Sequence, residues 1–286
     1  MAKLVVDRKI LIVGLGLIGG SYAEGLRRYG FEVGAITRSE ESIDFALEKG
    51  IIDHGQTEVT EEYVSQFDIV IFALYPQTFR DWIRDYQHCF KSGAVISDVT
   101  GVKGTVVEEI QTMLRSDVEF VPAHPMAGRE VYGVKNSNAD IFAGANFIIT
   151  PTEKNSPQAV ELIYSMAQLL GFKKISSITP QEHDEMIGFL SQLTHCIAVA
   201  LMTCKDDATS LARYSGDSFR DLTRIARINE NMWTELFLEN KDQLLKQMTL
   251  FMEKFSELKE ALQNADEESL KDMMRLSSER RVHFDK

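Results

Sequence analysis

The sequence has few cysteines and few basic residues, and it lacks the ligand spacings of common metal sites. Cys89, Cys196 and Cys204 form no C-x-x-C pair, and their odd number is typical of free thiols in a reducing cytosol. No H-x-x-H or H-E-x-x-H spacing is present, so we expect no metal. The 31 basic and 43 acidic residues give a net charge of −12, which argues against a nucleic-acid partner.

A long uninterrupted apolar run is also missing. The most apolar stretch, residues 186–202, contains Ser191, Gln192 and His195 and falls short of the roughly 18 apolar residues expected of a membrane span. The N-terminus leads directly into the first strand, without the charged-then-apolar pattern of an export signal. We therefore expect a cytoplasmic protein with no membrane partner.

The pattern of strands and helices divides the 286 residues into two parts. Apolar strands alternate with helical segments up to residue 178, which indicates an α/β domain with a mostly parallel, Rossmann-type sheet. From Thr179 onward a capping box opens a region with no convincing strand. We predict a dinucleotide-binding domain over residues 1–178 and an all-α substrate and dimerisation domain over residues 179–286. The predicted strands are Lys9–Val13, Glu32–Ile36, Asp68–Leu74, Ala94–Asp98, Glu119–Ala123, Asn146–Thr150 and Lys173–Ile178.

Two apolar helices dominate the second part. Residues 180–206 are apolar on most sides, which suits a helix covered by other helices or by a second subunit. A later helix carries an apolar seam at alternating spacings of four and three, which we interpret as intramolecular core in preference to a dimer contact. That seam comprises Leu244, Met248, Phe251, Phe255, Leu258 and Leu262.

A G-x-G-x-x-G motif follows the first strand and opens the first helix. Gly14 permits a tight turn, Gly16 lets a pyrophosphate approach the backbone, and Gly19 allows the helix to pack closely on the strand. Other ligand-binding residues are expected beyond the carboxyl ends of the parallel strands. The predicted cofactor-binding residues here are Gly14, Gly16, Leu17, Ile18, Gly19, Leu74, Tyr75 and Lys103.

The second strand is followed by Thr37, Arg38 and Ser39, where a carboxylate that binds the ribose of NAD is often found. Arg38 can pair with a 2′-phosphate, and the two hydroxyls can donate hydrogen bonds to it. We therefore expect NADP as cofactor, with NAD as the alternative. In that alternative Arg38 is a solvated cation, and Glu40 or Glu41 folds back to the ribose.

Three histidines stand out among six. His124 follows a predicted strand at the edge of the sheet, where it can accept a proton as a substrate loses hydride, or serve only as a buried structural residue. His195 shares a helix face with Ser191 and Gln192, which suits either a substrate crevice or a hydrogen-bonded core. His183 lies twelve residues earlier, about 18 Å along a helix. The two helical histidines are therefore not expected to bind one small group.

Arginines cluster in one short stretch of this acidic chain. Arg220, Arg224 and Arg227 can form surface ion pairs or bind an anionic substrate, since a guanidinium binds a carboxylate with two hydrogen bonds. Trp233 begins the next helix and either lines a pocket or fills the core.

Taken in order, these motifs resemble prephenate dehydrogenases and their arogenate-using relatives over nearly the whole chain. The shared motifs are Gly14–Gly19, Asp98–Lys103, His124–Gly128, Ser191–His195, Asp221–Ala226 and Met232–Trp233. The resemblance implies oxidative decarboxylation of prephenate to 4-hydroxyphenylpyruvate in tyrosine biosynthesis, with hydride transfer to NAD(P), by a homodimer formed through the helical domains. Arogenate dehydrogenase is the alternative.

The resemblance also implies roles for the candidate residues. His124 would take the proton of the ring hydroxyl, and Arg224 would hold a substrate carboxylate. His195 and Ser191 would orient the substrate beside Gln192 and Trp233. His183 matches a family position, but the helix geometry argues against direct contact with the substrate.

Two departures from the family pattern are present. Gly101 stands where many members have serine, and Thr100 is expected to substitute for the missing hydroxyl as a substrate-binding residue. Gln192 replaces a histidine of some members and carries no charge. The chain also stops near the end of the helical domain, so no regulatory domain is expected.

Two rival functions stay open. A β-hydroxyacid dehydrogenase shares the two-domain plan, but it usually relies on a lysine in the helical domain, and none precedes Lys205 on the apolar helix. A non-catalytic NADP-sensing protein would bind the cofactor without turnover.

Overall fold

In the computed structural model, which describes residues 7–129, 131–206 and 208–284, six short strands form a parallel sheet. The spatial order is β3-β2-β1-β4-β5-β6. Strands β2 and β3 lie on one side of β1 and strands β4 to β6 on the other, so the strand order reverses at the boundary between β1 and β4. Sheets of this kind bind ligands at that reversal. The strands are β1 Lys9–Val13, β2 Glu32–Ile36, β3 His54–Gln56, β4 Ile69–Phe72, β5 Val95–Asp98 and β6 Glu119–Val121.

Apolar residues cover both faces of this sheet, which confirms the predicted α/β class. Alternate residues of β1 point to opposite sides: Ile10 and Ile12 join one buried cluster, and Leu11 and Val13 join the other. Helices α1, α2 and α6 contribute to the first cluster, and α3, α4 and α5 to the second. Their bounds are α1 Leu17–Arg28, α2 Glu40–Glu48, α3 Glu61–Val64, α4 Pro76–Tyr86, α5 Gly104–Met113 and α6 Pro157–Leu169.

A second sheet, which the sequence pattern did not separate from the first, holds β7 Ala123–Met126, β8 Asn146–Ile149 and β9 Lys174–Ser177. β7 runs antiparallel to β8, and β8 runs parallel to β9. The predicted strand Glu119–Ala123 is in fact interrupted at Pro122, which has no N–H to donate to a ladder. The chain therefore changes sheets one residue before Ala123.

After β9 the described chain is helical. Thr179 and Glu182 form the predicted capping box: the Thr179 hydroxyl accepts from the Glu182 backbone N–H, and the Glu182 carboxylate accepts from the Thr179 backbone N–H. A π-helical turn, Gly188–Leu193, joins α7 to α8. The helices are α7 Pro180–Ile187, α8 Thr194–Thr203, α9 Ala208–Ala212, α10 Asp217–Thr223, α11 Glu230–Glu239, α12 Lys241–Gln263 and α13 Glu267–Arg281.

The interpretation of the α12 seam as intramolecular core is wrong. Leu244 is buried, but Phe255 and Leu262 are 61% and 63% exposed within one chain. The apolar stretch before it is only partly covered within one chain, since Ala198 is the one fully buried residue of α8. That stretch, Pro180–Thr203, is the one helix in the described ranges that is long and apolar enough to cross a membrane by length and composition. Part of it lines the cavity described below.

Helix α11 is attached to the Rossmann domain by charged contacts. Arg80 of α4 is 8% exposed and donates two hydrogen bonds of 2.8 Å to the carboxylate of Glu239. One turn earlier, Glu235 accepts a hydrogen bond from the backbone N–H of Gln77, in the first turn of α4. These contacts fix α11 against α4.

We expect Arg80→Met to lower the free energy of unfolding by about 2 kcal/mol, because it leaves a half-buried Glu239 carboxylate without its main partner. Urea unfolding followed by circular dichroism measures this loss. The matched control is Arg84→Met on the same helix, whose partner Asp81 is exposed, and we expect a much smaller loss from it because solvent screens that ion pair. Equal losses in the two variants would contradict the assignment.

Candidate active site

A cavity of about 600 Å³ lies between the Rossmann domain and the helical region. Its floor is formed by the segments that follow β1, β4 and β5, at the carboxyl edge of the parallel sheet and across the reversal in strand order. Strand β7, the segment after it and helices α7, α8 and α11 complete the walls. The position matches the expectation that ligands bind beyond the carboxyl ends of these strands.

The glycines of the first turn leave room for a phosphate group. A Cβ atom on Gly19 would lie 1.9 Å from the Gly14 carbonyl oxygen, whereas one on Gly16 would meet nothing within 4 Å. Gly16, Leu17, Ile18 and Gly19 line the cavity, and the first turn of α1 has no acidic residue and no side-chain cap. Its free N–H groups therefore suit an anionic pyrophosphate.

The other predicted cofactor residues fall into three groups. Leu74 and Tyr75 line the cavity at the end of β4. Thr37, Arg38 and Ser39 lie at the end of β2, outside the cavity lining, with Arg38 exposed and Ser39 capping α2. Lys103 departs from the prediction, because it is fully buried and lies outside the lining.

Lys103 instead belongs to a buried polar cluster under the cavity. Its Nζ donates to the Asp98 carboxylate at 2.6 Å and to the Thr100 hydroxyl at 3.0 Å. Asp98 also accepts from the backbone N–H groups of Thr100 and Ala123, each at 3.0 Å. Thr100 was predicted to bind substrate, and it does line the cavity, but its hydroxyl is engaged with Asp98 and Lys103.

His124 lies on β7, next to Ala123, and its ring lines the cavity. His124 Nδ1 lies 2.9 Å from His183 Nε2, and His183 Nδ1 lies 2.7 Å from the Asp184 carboxylate. His183 is fully buried and Asp184 is 6% exposed. His183 was not expected to contact substrate, and its contact with His124 was not predicted, because spacing along one helix says nothing about contacts with another domain.

The environment of these histidines favours their neutral forms. Burial, together with His183 and Lys103, holds the pKa of His124 well below its usual value of 6.5. Burial also lowers the pKa of His183, although Asp184 opposes that shift. Burial lowers the pKa of Lys103, which Asp98 opposes. A neutral imidazole at the cavity wall can accept a proton.

Gly101 leaves space beside His124. A Cβ atom there would lie 3.8 Å from His124 Cε1 and 3.6 Å from the side chain of Leu236. These are ordinary contact distances, so the absence of a side chain at this position is not forced by crowding.

The helical region contributes His195, Ser191 and Trp233 to the cavity, and the first two share a helix face. The His195 ring stacks on Trp233 with 3.7 Å between ring centres. His195 Nδ1 donates to the Ser191 carbonyl oxygen at 2.8 Å, because that oxygen can only accept. Trp233 therefore lines the pocket rather than the core.

Gln192 is held in place by the protein, which departs from its predicted role toward substrate. It is 1% exposed at the edge of the cavity. Its Nε2 donates to the Leu236 carbonyl at 2.9 Å, and its Oε1 accepts from Asn240 at 2.7 Å. Both ends of the amide are thus used, and they join the π-helical turn to α11 and α12.

The arginines are placed differently from the sequence expectation. Arg129, which the sequence reasoning missed, and Arg227 line the cavity. Arg224, the predicted carboxylate ligand, begins the 3₁₀ turn Arg224–Ala226 and lies outside the lining. Arg220 is exposed and pairs with Asp217 on its own helix.

The sequence matches two family descriptions that together cover most of its length. Residues 22–176 match the nucleotide-binding domain of prephenate dehydrogenase, and residues 179–276 match its dimerization domain. Among curated proteins, prephenate dehydrogenase of Bacillus subtilis is 29% identical over 91% of this chain and 72% of its own length. Cyclohexadienyl dehydrogenase of Zymomonas mobilis is 28% identical over 98% of this chain and 97% of its own.

A solved structure shares both the fold and the sequence pattern. Prephenate dehydrogenase of Aquifex aeolicus, in complex with hydroxyphenyl propionate and NAD+, is 31% identical with a TM-score of 0.91 and covers 99% of this chain and 100% of its own. With both domain descriptions matched, the chain belongs to the prephenate dehydrogenase family.

Proposed function

We propose that this protein oxidises and decarboxylates prephenate to 4-hydroxyphenylpyruvate. The observation that carries the proposal is His124, a neutral imidazole on the wall of a cavity that also begins at a dinucleotide-type glycine turn. The reaction needs a proton acceptor next to a hydride acceptor, and this cavity can hold both. The Aquifex relative, solved with an aromatic propionate and NAD+, supports the same use of the site.

The cavity fits a nicotinamide dinucleotide, since Gly16 leaves its phosphate side open and the N–H groups of α1 face it. When bound, the nicotinamide accepts hydride from C4 of the substrate ring. His124 takes the proton of the hydroxyl on that carbon, so a carbonyl forms there. The C1–carboxylate bond then breaks, CO2 leaves, and its electron pair makes the ring aromatic. The phenol oxygen regains one proton, and aromatisation makes the step effectively irreversible.

Positive charge on the cavity wall supports binding of an anionic substrate by this acidic chain. Arg129 and Arg227 line the cavity, and we assign a substrate carboxylate to these two residues in place of Arg224, the family candidate, which lies outside the lining. His195 and Ser191 orient the ring from the helical side, where Trp233 stacks on His195. Arginine and histidine side chains can bind the carboxylate of prephenate, which has a keto side chain, or that of arogenate, which has an amino side chain. Arogenate is therefore the alternative substrate.

We propose NADP as the preferred nicotinamide cofactor. Arg38 is exposed beside the end of β2 and makes no ion pair with a described residue, so it is available to a 2′-phosphate. Glu41, a candidate for the ribose of NAD, is instead paired with Lys135 at 2.5 Å.

We propose that two copies associate through the helical region. Phe251 and Phe255 stack on the exposed seam of α12, and Phe189 and Leu190 are exposed between α7 and α8. Apolar area of this extent is unusual on a free monomer. The match of residues 179–276 to a dimerization domain supports the same assignment.

We expect His124→Asn to lower kcat for prephenate about 1,000-fold, because the ring hydroxyl loses its proton acceptor. Absorbance at 340 nm with prephenate, arogenate and simple hydroxy acids, with each cofactor, measures the turnover. Cofactor binding, followed by fluorescence titration, should stay unchanged in this variant. An unmodified protein that binds the cofactor but turns over neither prephenate nor arogenate would refute the proposed function.

We also expect kcat/KM to stay level down to the usual histidine value of 6.5 and to fall only at lower pH. The proton acceptor must be deprotonated, and a lowered pKa keeps it so in more acidic solution. In the unfolded chain these histidines have their usual pKa, so they take up protons at a higher pH than in the folded protein. The free energy of unfolding should therefore also decline as the pH drops below 6.5. Initial rates in overlapping buffers provide the test. An acidic limb centred at or above 6.5 would contradict it.

Arg38→Asp should raise KM for NADP at least tenfold while KM for NAD stays level or falls, because a carboxylate repels a 2′-phosphate. Initial-rate kinetics with both cofactors measure the ratio. Lys49→Gln, at the other end of α2, is the matched loss of an exposed cation and should leave the ratio unchanged. A strong preference for NAD in the unmodified protein, unaltered by Arg38→Asp, would overturn the NADP assignment.

A further inference from the structure

Behind the ring of His124 lies a chain of hydrogen bonds that reaches into the helical region. The chain runs from His124 Nδ1 to His183 Nε2 and from His183 Nδ1 to the Asp184 carboxylate, over 2.9 Å and 2.7 Å. His183 lies outside the cavity lining, so it acts only through His124. Full burial of His183 excludes water as a substitute partner.

The direction of these hydrogen bonds follows from the group at the far end. The Asp184 carboxylate can only accept, and it already accepts from the backbone N–H groups of Lys103 at 2.9 Å and Gly104 at 2.7 Å. His183 Nδ1 must therefore carry a hydrogen. In a neutral ring this leaves a lone pair on His183 Nε2, which accepts from His124 Nδ1–H. The lone pair of His124 is then on Nε2, which has no hydrogen-bond partner in the described part of the chain.

We infer that His183 and Asp184 are positioning residues that fix His124 as the tautomer whose Nε2 is free to accept a proton. The inference rests on the proposed function for its kinetic consequence, but the tautomer itself is a property of the protein alone. When His124 takes a proton, the carboxylate at the end of the chain also stabilises the positive charge. Because Gly101 has no side chain to contact the His124 ring, the hydrogen bond from His124 Nδ1 to His183 is what orients the ring.

Two substitutions at one position separate the hydrogen bond from the packing. In His183→Gln the amide reaches about as far as the imidazole Nε2 and can still accept from His124, whereas in His183→Asn it is too short. We expect kcat to fall about 100-fold in His183→Asn and at most about tenfold in His183→Gln, with KM for prephenate and cofactor within about threefold. His54→Gln, which removes a histidine of β3 far from the cavity, should leave kcat unchanged. Equal kcat values in the two His183 variants would overturn the inference.

Nitrogen-15 NMR of the unmodified protein with labelled histidines tests the tautomer directly and independently of turnover. We expect His124 to show a protonated Nδ1 and an unprotonated Nε2, and His183 to show the same form. Loss of the His124 signals in His124→Asn identifies them. A protonated Nε2 on neutral His124 refutes the inference even if prephenate is turned over. Absence of turnover with the expected tautomer would instead refute the proposed function and leave the inference supported.

Discussion

The buried carboxylate of Asp98 holds the active-site segments together. It ends β5, carries no exposed side-chain surface and binds the equally buried Lys103. The same carboxylate accepts from the backbone of Ala123, the residue that starts β7 and precedes His124. Removing either charge would leave the other uncompensated in the interior, which costs several kcal/mol. The position of the His124 ring relative to the parallel sheet therefore depends on this ion pair.

The same arrangement explains how a histidine in an acidic chain stays neutral. A net charge of −12 would by itself favour protonated imidazoles. Burial is the main cause that lowers the pKa of His124, and the neighbouring His183 and the buried Lys103 act in the same direction. The charge of a site is thus set by its nearest buried groups and not by the composition of the chain.

Much of this architecture could be predicted from the sequence, because it depends on local patterns. The glycine turn, the parallel strands and the capping box at Thr179 each follow from the residues that form them. The break at Pro122 was missed because a short apolar segment shows the same sequence pattern whether it belongs to the first sheet or to the second. The exposed seam of α12 was taken for core since periodicity shows which residues share a face but not what covers it. Gln192 and Lys103 were assigned to ligands for a similar reason. A polar residue near a motif can bind the ligand or stabilise the fold, and only its contacts with distant segments distinguish the two.

His183 shows most clearly what a one-dimensional comparison leaves out. Its separation from His195 along the helical stretch excluded a shared ligand, and the cavity lining agrees, since His195 lines it and His183 does not. The distance to His124 depended instead on how the second domain docks. That docking uses Asp184, which bridges the first N–H groups of α5 and the Nδ1 of His183. One carboxylate thus caps a helix of the Rossmann domain and fixes the hydrogen-bond direction at the imidazole. Because Asp184 contacts both α5 and His183, and His183 contacts His124, the whole chain of hydrogen bonds forms only where the Rossmann domain and the helical region meet.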